Sequence, residues 1–232
     1  MPHPRAWLAW SSGKDSAWAL HTVRLAAELD VVALLTTVTA PYDRVSMHGV
    51  RIELLEAQAA AAGLPLVKVP IPAPCPNEVY QQAMAAALEQ ARAQDITEMV
   101  FGDLFLEDIR AYRERQLEGT GITPRFPLWG RPTAQLAEEM IDGGLTAHVT
   151  CLDPRKMPRE LAGRRFDRTL LADLPDGIDP CAENGEFHTC VTGGPMFREP
   201  IRVEVGEVVE REGFVFADLL PASTEAPIEV IE

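Results

Sequence analysis

Six consecutive residues, Ser11-Ser12-Gly13-Lys14-Asp15-Ser16, combine three hydroxyls, a glycine, a cation and a carboxylate. They follow a short apolar run, RAWLAW at 5–10, and precede a stretch with mixed helical spacing. A loop that leaves a strand and opens a helix presents unpaired backbone N–H groups and a partial positive charge, so it favours anions. Gly13 lets the main chain approach a ligand closely. Ser11, Ser12 and Ser16 add donors, and Lys14 adds a point charge suited to phosphate. Asp15 makes sense there as a helix cap or through a bound Mg²⁺. The loop is not a Walker A motif, because position 8 is Leu and the residue after Lys14 is Asp, and it is not a G-x-G-x-x-G dinucleotide loop.

Other candidate groups fall where strands end or helices begin. Gly102-Asp103 follows a strand, where Asp103 can bind Mg²⁺ or substrate or cap the next helix. Glu107, Arg110 and Arg113 share one helix face, as a clamp for an anion or as solvated ion pairs. His48 and Arg51 stand together at the start of a helix, where a cation opposes the dipole unless an anion is bound. Asn184-Gly185 is a turn signal, and alternation beyond it puts Glu186 and His188 on one face. Such groups beside a nucleotide can orient ammonia, bind Mg²⁺ or act as a base. Cys75, Cys151, Cys181 and Cys190 fit no zinc spacing and are expected as free thiols. Trp7, Trp10, Trp18 and Trp129 are expected to pack rather than to stack on bases.

These residues need a scaffold. Apolar runs at 5–10, 31–38, 65–70, 96–102, 122–128 and 145–152 read as strands. Helical segments at 15–29, 48–62, 78–94, 104–118 and 132–142 lie between them, the third capped by Asn77. The alternation predicts a doubly wound parallel α/β sheet whose ligands bind beyond the carboxyl ends of the strands. After about residue 153 come short helical pieces and strands at 186–191, 200–210 and 213–217, with a hairpin turn at 211–213. The expected division is an α/β domain over 1–153, a smaller α+β region over 154–220 and a partly disordered tail over 221–232.

The 232 residues carry a formal charge of −14. That balance argues against a broad nucleic-acid platform. No run approaches ~18 apolar residues, so no helical membrane span is expected. Residues 1–10 lack a signal-peptide pattern, and the expected compartment is the cytoplasm. A cleft between two lobes is compatible with a monomer or a homodimer.

The loop at 11–16 resembles the PP-loop of the adenine nucleotide α-hydrolase-like superfamily, S-G-G-K-D-S, with Ser12 in the place of the first glycine. M-H-G-V-R at 47–51, G-D-L-F-L-E-D-I-R-A-Y-R at 102–113, F-P-L-W at 126–129 and D-P-C-A-E-N-G-E-F-H-T at 179–189 extend the likeness. Together they resemble the diphthine–ammonia ligase family and its bacterial relatives. The resemblance implies ATP and Mg²⁺, ammonia, and a carboxylate-bearing acceptor, either a small molecule or a modified protein side chain. The acceptor would be adenylated and passed to ammonia, with AMP and pyrophosphate released. It implies catalytic roles for Lys14, Asp15, Glu186 and His188, with Asp15 on the metal. Nucleotide contacts are implied for residues 11–16, Thr37, Gly102 and Asp103, and substrate contacts for His48, Arg51, Arg110, Glu183, Asn184 and Glu186. Diphthamide-making members carry E-G-G-E-[FY]-E-T, whereas this chain has Asn184 for a glycine and His188 for a glutamate, which leaves the acceptor open. Two rivals remain: an ATP- or AMP-binding sensor or hydrolase without ligation, and a tRNA-modifying PP-loop enzyme, which usually needs a cysteine pair or a basic surface.

Overall fold

The computed structural model describes residues 2–222; the expected tail falls almost wholly outside them. The first strand, β1 (Arg5–Ala9), puts Ala6, Trp7 and Leu8 at zero exposure. A strand buried on both faces needs partners on both edges and helices on both faces. β1 pairs in parallel with β2 (Asp30–Thr39) on one side and with β5 (Glu98–Val100) on the other. Outside β2 lies β4 (Leu66–Ile71), and outside β5 lies β6 (Thr123–Arg125), both parallel. The two-residue β3 (Arg44–Val45) adds an antiparallel edge to β2. The chain therefore moves outward from β1 to β2 and β4, then crosses back to β5. This reversal places a ligand crevice at the carboxyl end of β1, at loop 11–16.

Helices cover both faces. α1 (Lys14–Ala26), α2 (Ile52–Ala62) and α5 (Thr133–Asp142) share one core with Leu8, Trp10 and Leu34. α3 (Asn77–Arg92) and α4 (Glu107–Leu117) pack on the opposite face over Trp7, Leu35 and Met99. Asn77 lies inside α3 rather than capping it: Pro76 takes the cap position with an extended ψ of 147°. Asp103 likewise is no cap, since α4 begins four residues later behind Leu106.

The segment 145–152 corrects the reading of a sixth parallel strand. As β7 (Thr146–Leu152), it belongs to a second, antiparallel sheet with β8 (Phe187–Gly193), β9 (Val203–Arg211) and β10 (Phe214–Pro221), in the order β8-β7-β10-β9. An apolar run does not encode which sheet it joins, because burial on both faces serves either. The sequence 154–176 contributes a 3₁₀ turn at Arg159–Leu161 and the short α6 (Arg168–Ala172). β9 and β10 are joined through Glu212 and Gly213, both with positive φ (52° and 81°), as a two-residue hairpin turn requires. One core runs from α1 and α2 to Val149, Phe166, Phe187 and Val215, so the two sheets are packed together. Among the described residues no helix is long and apolar enough to cross a membrane.

Candidate nucleotide cleft

A cleft of about 1200 Å³ opens between the carboxyl ends of the parallel strands and one face of the second sheet. That exceeds the ≈ 300–1,000 Å³ of common small-ligand pockets and leaves room for two reactants.

The first wall is loop 11–16. Ser12 takes a left-handed φ of 70°, the conformation that favours glycine. Its carbonyl accepts from Val191 N (2.9 Å) and from Gln58 Nε2 (3.1 Å), which fastens the loop to β8. Ser11 and Ser16 hydroxyls lie 3.2 Å apart. Gly13 caps α1 with no side-chain hydrogen bond, so the helix end is not sealed by its own cap. Gly102 must lack a side chain: a Cβ there would stand 2.8 Å from backbone atoms of Asp15 and Ser16. The end of β5 is thereby pressed against the first turn of α1.

Lys14 is buried. Its ammonium donates to Asp15 Oδ2 (2.9 Å) and to the Cys181 carbonyl, and it lies over the rings of Phe187 (5.5 Å) and Phe166 (5.8 Å). Burial lowers its pKa, but the groups around it, Asp15 first and then Cys181 and Asp179, together outweigh burial and hold it above the ordinary lysine value. Burial lifts the Asp15 carboxyl above its usual range, with Lys14 opposing. Asp15 Oδ1 is buried without a partner among the described residues. No group of three or more metal-type ligands occurs among them. A lone carboxylate with an idle oxygen still fits Mg²⁺, which is usually held by one or two carboxylates together with substrate phosphates and water.

The second wall comes from distant segments. Cys151 on β7 pairs with His188 on β8 and with Phe216 on β10, and all three line the cleft. Burial, then Lys14, lowers the His188 pKa to about 4. His48 lies beside it, ring centroids 4.5 Å apart, with Nδ1 3.3 Å from the Thr189 carbonyl. Thr189 Oγ1 accepts from the Lys14 amide (3.1 Å), tying this wall to the loop. Glu183 accepts from Leu104 N (2.8 Å) and Phe105 N (3.4 Å), so the 183–189 segment also grips the stretch after β5. Burial raises the Glu183 pKa to about 7.

Ser11, Lys14, Asp15 and Ser16 thus meet Thr37, His48, Gly102, Asp103, Glu183 and His188 on one surface. Ser12 and Gly13, of the same loop, do not line the wall. Arg51 is turned away, bidentate on Asp218 (3.0 and 2.6 Å). Arg110 sits between Phe126 and Trp129, 4.9 and 4.8 Å from their centroids, and pairs with Glu114. Asn184 and Glu186 also stand off the wall; Asn184 Nδ2 donates to Glu186 Oε1 (3.2 Å). The expected shared face of Glu186 and His188 fails because β8 starts at Phe187, so strand alternation does not reach Glu186. On the α4 face it is Arg113 that reaches the cleft, over Phe101 and 3.7 Å from Asp103. Gln58 also escaped the sequence reading. Fully buried, it accepts from Trp10 Nε1 (2.9 Å) and donates to the carbonyls of Ser12 and Val191. The available signal was a lone polar residue at a core position of an alanine-rich helix.

Residues 5–124 match the family model described as the diphthamide synthase N-terminal domain, and residues 132–218 match the diphthamide synthase C-terminal domain. Comparison with curated proteins returned no match.

Proposed function

The chain belongs to the diphthamide synthase family, and from that premise we propose that it is an AMP-forming ligase that joins ammonia to a carboxylate. Membership implies ATP as substrate. The observation that carries the reading is the meeting of loop 11–16 and the 183–189 segment across one cleft with room for two reactants.

ATP would lie with its phosphates over the open end of α1 and its base toward the end of β2 at Thr37. The acceptor carboxylate attacks the α-phosphorus, breaking the α–β bond and releasing pyrophosphate. Ammonia then attacks the acyl carbon, AMP leaves, and one proton is given up. Holding the reactants in one crevice is chiefly proximity catalysis. Asp15 would hold Mg²⁺, which when bound neutralises phosphate charge. Lys14 fixes Asp15 and adds positive charge beneath the leaving group. His188 lines the reacting space, where its imidazole can hold or pass a proton. The region over 1–153 would bind nucleotide and the region over 154–220 would position the acceptor, with β7 serving the second. The compartment we propose is the cytoplasm. Sensing without ligation gains one observation, the placement of Glu186 off the wall; a Glu186→Ala variant that keeps every measured activity would strengthen it.

The test is product analysis with ATP, Mg²⁺, ammonium and a metabolite extract. AMP and pyrophosphate that depend on the extract are expected, and are lost in Asp15→Asn. ADP and phosphate as the products would refute ligation by adenylation.

A further inference from the structure

We propose that His48 and His188 form a paired phosphate contact that gains a proton when nucleotide binds. This rests on the nucleotide-binding reading above and adds a role for two residues as one unit.

The pair is built against the loop. A Cβ on Gly13 would stand 3.0 Å from His48 Cε1, so the His48 ring lies on the loop itself. The His188 ring lies alongside at 4.5 Å and 43°. A carbonyl oxygen only accepts, so His48 Nδ1, at 3.3 Å from the Thr189 carbonyl, must carry a hydrogen. The neutral ring then has a bare lone pair on Nε2, which makes no hydrogen bond among the described residues. Phosphate oxygens are acceptors too. While Nδ1–H keeps its bond to the Thr189 carbonyl, they can bond to Nε2 only after the ring takes a second proton.

The other cations along the cleft are Lys14, Arg44, Arg113 and Arg211; Arg113 stands over Phe101 and 3.7 Å from Asp103, and Arg211 ends β9. Lys14 is committed to Asp15 and the Cys181 carbonyl. Arg44 and Arg51 are committed to Asp218. Carboxylates outnumber lysine and arginine side chains along the cleft, so a polyanion enters an acidic site. The groups facing the pair favour neutrality before nucleotide arrives. Lys14 on α1 opposes a second cation, and the Cys151 thiol on β7 is pushed up to about 12 and stays uncharged. Burial, then His188, hold His48 well below its ordinary value. Lys14 holds one oxygen of Asp15 while the other stays unpartnered among the described residues; Glu183 is held by two backbone amides, Asp218 by its arginines, and Asp103 faces Arg113. Anionic phosphates within ~4–6 Å raise an imidazole pKa by about one to three pH units, and the upper part of that range carries His188 from about 4 to near 7.

The experiment is calorimetric titration at pH 6.5 in two buffers of different ionisation enthalpy. The probes are α,β-methylene-ATP with excess Mg²⁺, and adenosine. The expected result is uptake of roughly half to one proton per analogue bound and none with adenosine, with affinity rising about fivefold or more from pH 8 to pH 6. The double variant His48→Gln/His188→Gln should lose both the uptake and the pH slope. Equal uptake in wild type and variant would overturn the proposal while leaving nucleotide binding intact. Binding of neither probe by wild type would instead sink the nucleotide reading, and this proposal with it. Histidine Cε1–H NMR titrations of the unmodified protein give a check free of folding effects. Midpoints that rise on adding the analogue support the pair, and unmoved midpoints refute it.

Discussion

The two walls of the cleft are built in opposite ways. The loop wall is six consecutive residues at the end of one strand, and its groups are neighbours because the chain makes them so. The second wall is assembled from β7, β8, β10 and the turn before α2, and its row Phe216–Cys151–His188 exists only through strand pairing. The loop wall supplies amides, hydroxyls and a Lys–Asp pair. The second wall supplies neutral imidazoles and an aromatic face. Both are fastened through shared residues: Gln58 and Thr189 each reach across, and Glu183 ties the second wall to the stretch after β5. A site divided in this way can be weakened by breaking either wall or by cutting the fasteners, and those two injuries are separable.

The largest effect is expected at the base of the loop wall. Lys14→Met leaves Asp15 without its cation and the Cys181 carbonyl without its donor. A loss of about 3 kcal/mol or more is expected in chemical denaturation, together with loss of ATP binding. A variant as stable as wild type would show that the pair does not organise the loop. Cutting a fastener should cost less. Gln58→Leu strands the Trp10 indole N–H and removes the donor from two buried carbonyls, an expected cost of about 2 kcal/mol. Its amide exchange should rise in both walls, and a change confined to α2 would deny Gln58 a linking role.

Acid–base behaviour separates the walls further. Glu183 has a folded pKa of about 7, above its unfolded value. The folded state therefore binds more protons, and Glu183 disfavours folding increasingly as pH rises from about 4.5 through 7. The histidines run the other way: their folded values are lowered, His188 to about 4, so they favour folding as pH rises toward their ordinary value of about 6.5. In Glu183→Gln the loss of stability between pH 5 and pH 8 should shrink relative to wild type. Identical pH profiles would contradict the burial assigned to that carboxyl. The smallest effect belongs to Arg110, which serves neither wall. Arg110→Ala should cost less than about 1 kcal/mol and leave ATP affinity within about twofold. A tenfold loss of affinity would return Arg110 to the site.

This contrast also explains what the sequence disclosed. The loop was legible because strand, loop and helix are consecutive and chemistry is packed into six positions. The central strands were legible as apolar runs. Strand 146–152 was recognised as a strand but assigned to the wrong sheet, since periodicity reports burial and not partners. The second wall was harder to read. His188 and His48 are 140 residues apart in sequence, and nothing local signals that their rings meet. Arg51 and Arg110 had suitable charge and position, but Asp218 and two aromatic rings, all contributed by tertiary packing, claim their guanidinium groups. Gln58 is a lone polar residue in an alanine-rich helix, and its partners Ser12 and Val191 come from distant segments that nothing local names.

The most direct measurement is hydrogen exchange with and without ATP and Mg²⁺, resolved by segment. If both walls hold one nucleotide, amides in 11–16 and in 183–189 gain protection together, and adenosine protects 183–189 less than ATP does. Protection confined to one wall, or none in either, would contradict a shared nucleotide cleft.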